Sequence, residues 1–244
     1  MGYKEEYGKN SFLQELLSGK NFEKTQQFLK AMCYSVYVIT AVIPAYNEAQ
    51  RIHPVILKTL PMVDEVCVVD DGSTDKTSTV AKKAGATVVS QPHTGYIPAL
   101  KQGFSHASGD IIVTLDADGE HDPADIPQVV APIIQGKADL VLGKRKKELI
   151  SFSEKIIAML LHLNPDITVK DHGTGFRALT KELACKLPLH GRCTCGILVL
   201  EAHSKGALIT EVPIRIRDTE KKRKRKWVHI IQLWYVFMHL LRSK

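Results

Sequence analysis

The chain has 244 residues, 44% of them apolar and 24% charged, the balance of a globular protein with material for one large core. Its net charge is +7, and six successive cations at 221–226 concentrate that excess, which points to an anionic partner such as a membrane surface or a phosphorylated substrate. No apolar run reaches the ~18 residues of a membrane-spanning helix, Met1 to Lys30 lack the pattern of a secretory leader, and five cysteines without zinc-ligand spacing exclude a disulfide scaffold and a zinc domain, leaving a reduced, cytosolic setting.

Residues 1–35 read as a helical extension. Phe12, Leu13, Leu16 and Leu17 recur at helical spacing, and Phe22, Phe28 and Leu29 follow, with no chemistry-bearing group among them. From Val36 the pattern becomes strand, turn, helix, repeated. Residues 36–43 predict a strand that Pro44 ends, and Asn47 is placed to cap a helix from about Glu48. A second strand over 66–69 buries Cys67 and runs into Asp70-Asp71-Gly72-Ser73. Thr74 or Asp75 then caps a helix that reaches Lys83 and stops at Gly85. A strand at 87–89 and a helix at 97–107 follow, then a buried strand from Ile111, a helix over 123–135 and a strand over 138–142. This alternation implies βαβ units, hence an α/β fold with a mainly parallel central sheet, right-handed crossovers and helices on both faces. The catalytic domain is expected over 36–220 and a basic, amphipathic tail over 221–244.

The polar groups gather in three loops, 44–48, 70–75 and 116–122, after the first, second and fourth strands. If those strands are neighbours, the loops meet in one crevice at the carboxyl ends, where open α/β sheets bind ligands. Asp116, Asp118 and Glu120 stand at alternate positions and point one way if the chain stays extended. Such carboxylates repel one another unless a divalent cation sits among them, and a hard cation is commonly held by one or two carboxylates plus substrate phosphates. In the same crevice Asp71 can accept a base N–H and Tyr46 can stack on a ring.

Three segments, Val42-Ile-Pro-Ala-Tyr-Asn-Glu-Ala49, Val69-Asp-Asp-Gly-Ser-Thr-Asp-Lys-Thr77 and Leu115-Asp-Ala-Asp-Gly-Glu-His-Asp-Pro123, resemble the inverting family 2 glycosyltransferases of the GT-A fold. Ala138-Asp-Leu-Val-Leu-Gly-Lys-Arg145, Gly173-Thr-Gly-Phe-Arg-Ala178 and Glu211-Val-Pro-Ile-Arg215 narrow the likeness to the polyprenyl-phosphate hexose synthases, such as the dolichyl-phosphate mannose synthases. The likeness runs from about Val38 to Lys226. It implies a GT-A-type sheet and hexose transfer from GDP-mannose or UDP-glucose to a polyprenyl or dolichyl phosphate. By position it implies that Pro44, Tyr46 and Glu48 hold the donor nucleoside and that Val69 and Asp71 contact the base. Asp116, Ala117 and Asp118 fall on the donor diphosphate. Asp116, Asp118 and Glu120 are the implied ligands of Mg2+ or Mn2+, with Glu120 where many relatives carry Gln. Arg145 and Arg177 match basic residues near donor and acceptor phosphate and join Asp118 as catalytic candidates. Arg215 and Lys226 complete the acceptor-phosphate set. After Gly95 the family's Gly-Lys-Gly gives way to Tyr96 and Ile97.

Charge then suggests the mechanism. The departing diphosphate gathers negative charge, which a cation stabilises. A phosphate acceptor is already anionic near neutral pH and needs no strong base. A hydroxyl acceptor would need one, with His121, Asp122 and Asp171 as candidates. In the tail, 227–241 is mostly apolar, and at 1.5 Å per residue spans about 22 Å, short of the ~30 Å hydrocarbon core. It predicts a helix lying in the membrane interface, with Trp227, Trp234 and Tyr235 at the headgroups and the cations at 221–226 on anionic lipid. The stretch 152–163 is a second surface candidate or part of the core. The enzyme is therefore expected at the cytoplasmic membrane face as a peripheral protein, with no nucleic-acid partner. A soluble acceptor and a non-catalytic nucleotide-sugar-binding protein are the alternatives, and the intact Asp116/Asp118 pair argues against the second.

Overall fold

The computed structural model describes residues 37–146, 152–217 and 232–238. The expected extension at 1–35, the basic run at 221–226 with Lys226, and Trp227 lie outside the described residues. The fold is that of the unit Val38–Lys244.

Among the described residues seven strands make one sheet in the order β3-β2-β1-β4-β6-β5-β7. They are β1 Ile39–Ala45, β2 Glu65–Asp70, β3 Thr87–Ser90, β4 Ile111–Thr114, β5 Leu140–Lys144, β6 Arg177–Thr180 and β7 Ile209–Pro213. The first four in space run parallel; β6 lies antiparallel between β4 and β5, and β5 pairs parallel with β7. Around the sheet stand α1 Ile52–Thr59, α2 Thr77–Lys83, α3 Tyr96–His106, α4 Ile126–Ile134, α5 Phe152–Leu161, α6 Lys181–Lys186 and α7 Ile197–Ser204. Residues 232–238 are also helical.

Local sequence explains most of this. Every residue of β1 is buried, as expected of a parallel strand covered on both faces and read as a continuous apolar run. At roughly 1.5–3 kcal/mol per fully buried Val or Ile side chain, that run anchors the sheet. α3 lies close on β1 and β2 because Gly103 has no side chain: a Cβ there would come within 3.2 Å of Val69 and run into Val42. One apolar core joins Val42 and Val69 to Leu100 and Phe104 of α3, Ile157 and Leu161 of α5, Leu198 of α7 and Val236. The stretch 152–163 is thus both things the sequence allowed: Ile157 and Leu161 are core, while Phe152, Met159 and Leu163 are exposed.

The structure corrects several boundaries. β1 does not end at Pro44 but runs on to Ala45, with Pro44 opposite Val69. The carbonyl of Val42 accepts the Leu115 N–H at 3.2 Å on the β4 side. Pro44, two residues on, faces the same way beyond the last β4 rung at Val42–Thr114, so its missing N–H costs no ladder bond. Asn47 caps nothing: it is left-handed at φ 55°, and α1 begins only at Ile52. Nor does the chain stay extended through the acidic stretch. It turns at Ala117 and Asp118, with Gly119 at φ 80°, a conformation glycine adopts without steric cost. β6, β7, α6 and α7 had no counterpart in the strand-and-helix reading.

Candidate active site

Strand order alone gathers the site. β2, β1 and β4 are neighbours, so the loops that follow them open on the same rim. β6 runs the other way, which sets its first residue, Arg177, opposite Thr114 at the end of β4. β5, parallel to β4, brings Arg145 to the same rim.

The first two loops are stitched together. The Asn47 N–H donates to Ser73 Oγ at 2.9 Å, and Asn47 Oδ1 accepts the Thr74 N–H at 2.9 Å. The Glu48 N–H donates to Thr77 Oγ1 at 2.8 Å, and buried Glu48 pairs with Arg51 at 2.6 Å. Tyr46 stands exposed, its ring stacked on that of His93 with centroids 4.1 Å apart and planes at 22°. Val69 and Asp71 are buried. The Asp71 carboxylate accepts the Gln91 amide at 2.7 Å, the Thr94 N–H at 3.0 Å and the Gly95 N–H at 2.9 Å, with His93 Nδ1 at 2.9 Å. Burial pushes this carboxyl upward, but the donors outweigh it and hold it below the ordinary carboxylate value.

In the acidic loop, Ala117 and Asp118 are buried and Asp116 half-buried. Asp118 Oδ1 accepts the Glu120 N–H at 3.1 Å, the local turn that short carboxylates favour. Asp116 lies against Gly175, where any Cβ would run into its carboxylate. Thr114 Oγ1 donates to the Gly175 carbonyl at 2.7 Å and fixes that approach. His121 is buried against Phe176, ring centroids 5.5 Å apart. Burial holds this imidazole below its ordinary value, against the opposing pull of Asp116, Asp118 and Glu120.

Among the described residues no group of three or more His, Cys, Asp or Glu side chains forms a ready metal cage. A cation that shares one or two carboxylates with phosphate oxygens needs none. The residues fit such an ion: the Asp116 carboxylate accepts no hydrogen bond from any described residue, and Asp118 and Glu120 act with it on the same imidazole.

The cationic side is buried. Arg177 is 2% exposed; its Nη2 donates to Thr194 Oγ1 at 2.5 Å, and its guanidinium also acts on the Tyr96 phenol, while Nε and Nη1 have no geometric hydrogen-bond partner among the described residues. Tyr96 sits beside it, its phenol pushed well up by burial and then by the Asp116 carboxylate. Arg145 is 6% exposed. It donates through its backbone N–H and Nε to Asp171 Oδ2, each at 2.8 Å, and through Nη2 to Asp171 Oδ1 and Glu154 Oε1, each at 2.7 Å. Burial works against this charge, but the two carboxylates raise the guanidinium above its ordinary value. Arg215 reaches Asp125 at 2.7 Å, and Arg217 reaches Asp122 at 2.7 Å. The Arg217 N–H also donates to the Glu120 carbonyl at 2.8 Å.

The structure thus brings together Pro44, Tyr46, Glu48, Val69, Asp71, Asp116, Ala117, Asp118 and Glu120 along adjacent strand ends, with Arg177 facing β4. Arg145 and Arg215 lie at the same rim in ion pairs of their own. His93, Thr194 and Arg217 escaped sequence reading, and Tyr96 stood there only as a departure from the family's Gly-Lys-Gly. Only strand order places the loop after β3 beside Asp71, and no local pattern carries strand order.

Residues 40–195 match the model of the family described as Glycosyl transferase family 2. The chain belongs to this family. An uncharacterized glycosyltransferase of Mycobacterium tuberculosis is 42% identical over 108 residues, 44% of this chain and 49% of the relative, so the match spans about half the length of that protein. The undecaprenyl-phosphate 4-deoxy-4-formamido-L-arabinose transferase of Salmonella paratyphi B is 29% identical over 215 residues, 81% of this chain and 65% of the relative. Among solved structures, glucosyl-3-phosphoglycerate synthase from Mycobacterium tuberculosis with phosphoglyceric acid superposes with a TM-score of 0.74 at 26% identity, covering 88% of this chain and 83% of that one. The same enzyme with Mn2+, UDP and glucosyl-3-phosphoglycerate gives 0.71 at 27% identity, covering 89% and 83%. These neighbours share the GT-A-like sheet.

Proposed function

We propose that this chain transfers a hexose from a nucleotide sugar, GDP-mannose or UDP-glucose, to a polyprenyl or dolichyl phosphate, inverting the anomeric centre. The observation that carries the reading is the meeting, on one rim, of an exposed aromatic ring, a carboxylate without a donor and a buried arginine with two unpartnered nitrogens.

Pro44, Tyr46, Glu48, Val69 and Asp71 would seat the nucleoside, and Asp116, Ala117 and Asp118 its diphosphate. Asp116, Asp118 and Glu120 are the residues that would hold Mg2+ or Mn2+; structural neighbours were crystallised with either ion. When bound, that ion supplies the positive charge that stabilises a departing diphosphate. A buried guanidinium with idle donors is costly until an anion completes it, which suits Arg177 to a phosphate oxygen. Arg145, through its ion pairs, holds the 171–175 loop against Asp116.

The acceptor follows from what is missing. Asp171 spends both oxygens on Arg145. Asp122 is tied to Arg217 and capped by the Ala124 N–H. His121 is 3% exposed. Asp171 and Asp122 are thus engaged by arginines, and burial holds the His121 imidazole low and makes it a weak base; an acceptor that arrives as an anion needs no base. One relative is named for undecaprenyl phosphate and the structural neighbour was crystallised with phosphoglyceric acid; a phosphate is common to both. Exposed Phe152 and Met159 on α5, Leu163 just beyond it, and Trp234, Tyr235 and Phe237 at 232–238 favour the lipid and a peripheral position on the cytoplasmic membrane face. No described helix is long and apolar enough to cross a membrane.

The test is a donor panel with manganese and a short polyprenyl phosphate, followed by mass spectrometry of the organic phase. A hexosyl-phosphoprenol product is the expected result. Product confined to the aqueous phase, formed with a small phosphorylated acceptor, would replace the lipid by a soluble substrate.

A further inference from the structure

The Asp71 carboxylate is already full. Oδ1 accepts the Gln91 amide at 2.7 Å, the Thr94 N–H at 3.0 Å and, more loosely, the Thr94 hydroxyl at 3.4 Å. Oδ2 accepts the Gly95 N–H at 2.9 Å, and His93 Nδ1 crowds it at 2.9 Å while making its own hydrogen bond to the Asp71 main-chain carbonyl at 3.1 Å. A carboxylate offers about four acceptor positions, so a nucleobase has no place on Asp71 until one of these groups leaves. Two are backbone N–H groups, and the Gln91 amide is held a second time by Thr94 Oγ1 at 2.7 Å. His93 differs: its side chain is 55% exposed and is held by one hydrogen bond, to the Asp71 carbonyl. Its ring also lies on Tyr46, 4.1 Å away. One exposed side chain therefore covers both things a base would use, the face of Tyr46 and the approach to Asp71 Oδ2.

We propose that His93 is a specificity-determining residue of the donor site: it fills the base position, swings out as the donor enters, and releases a single acceptor on Asp71 that selects uracil over guanine. This rests on the reading of Tyr46 and Asp71 as the base subsite. Guanine presents N1–H and its N2 amine side by side, a fork that spans both oxygens of a carboxylate. With Oδ1 still held by Gln91 and Thr94, the second arm of that fork has no acceptor, and an unpaired buried donor is penalised. Uracil presents one imide N–H and needs one acceptor. Cytosine sets a lone pair on N3 where uracil has its hydrogen, and meets the carboxylate with repulsion.

Calorimetric titration of the whole chain with UDP, CDP and GDP in manganese tests this. UDP is expected to bind at least about tenfold tighter than either competitor. His93→Ala removes the occupant and is expected to tighten UDP about fivefold, roughly the worth of one net hydrogen bond, lowering KM for the sugar nucleotide with kcat unchanged. His93→Phe, which keeps a ring on Tyr46 but gives Asp71 nothing, is expected between the two. GDP binding as tightly as UDP would overturn the assignment, and so would UDP affinity that is unmoved or weakened in His93→Ala. If none of the three nucleotides binds, the donor-site reading itself falls and takes this inference with it.

Discussion

The parallel half of the sheet, β3-β2-β1-β4, and the mixed half, β6-β5-β7, bring opposite chemistry to their shared rim. In the parallel half the functional groups are carboxylates and rings on loops stitched by backbone hydrogen bonds: Asn47 to Ser73 and Thr74, Asp71 to Thr94 and Gly95. In the mixed half they are arginines buried beneath the loops, 6% exposed at Arg145 and 2% at Arg177. An exposed loop carboxylate can be lost with little structural consequence, because water takes over as acceptor for the N–H groups it served. A buried guanidinium cannot lose its counter-charge so cheaply. Substitutions in the first half should therefore act on binding and chemistry, and those in the second on the fold.

The sharpest break is at Asp118. Asp118→Ala is expected to remove nearly all transfer, about 100-fold or more in kcat/KM, while the unfolding midpoint stays near that of the parent. Full activity would sever the acidic loop from the chemistry. On the other side, Asp171→Ala strands Arg145 with Glu154 alone. It should cost about 3–5 kcal/mol in urea unfolding, whereas Asp75→Ala, in an exposed loop of the parallel half, should cost about 1 kcal/mol or less. Equal losses at the two positions would erase the distinction.

Gly175 sits where the halves touch. Gly175→Ala would drive a methyl group into the Asp116 carboxylate and is expected to weaken manganese-dependent donor binding by about tenfold with a smaller effect on stability. The mildest effect concerns pH. Burial lowers the His172 imidazole in the folded state, against the pull of the Glu154 carbonyl that its Nε2 contacts. The unfolded chain therefore takes up this proton first as pH falls below about 6.5. The stabilisation is present above that value and is lost as pH falls toward the lowered folded one. His172→Gln should flatten that part of the stability profile; an unchanged slope would assign it elsewhere.

The two halves also differed in how legibly the sequence announced them. A parallel strand buried on both faces is a continuous apolar run ending in polar residues, so β1, β2 and β4 and their loops stood out, and the carboxylates could be named. Details that depend on turn geometry did not survive. Asn47 looked like a helix cap because its type favours caps, but the same side chain serves equally in a left-handed turn that ties two loops. The acidic residues looked like one face of an extended strand, but Gly119 allows the turn that ends it. The mixed half offered no such pattern. β6 is four residues long, inserted antiparallel between strands far away in sequence, and its first residue is a buried arginine, the residue type least expected inside. Arg145 was legible as a cation near a phosphate site. That Asp171 and Glu154 would enclose it depends on long-range packing.

The central claim is that Asp116 and Asp118, at the end of β4, take a divalent cation and a nucleoside diphosphate together. Calorimetric titration of UDP, with and without manganese, into the parent chain and into Asp116→Asn tests it most directly. The account predicts tight binding only with the metal and only in the parent. Nucleotide binding that ignores both manganese and the substitution would contradict it.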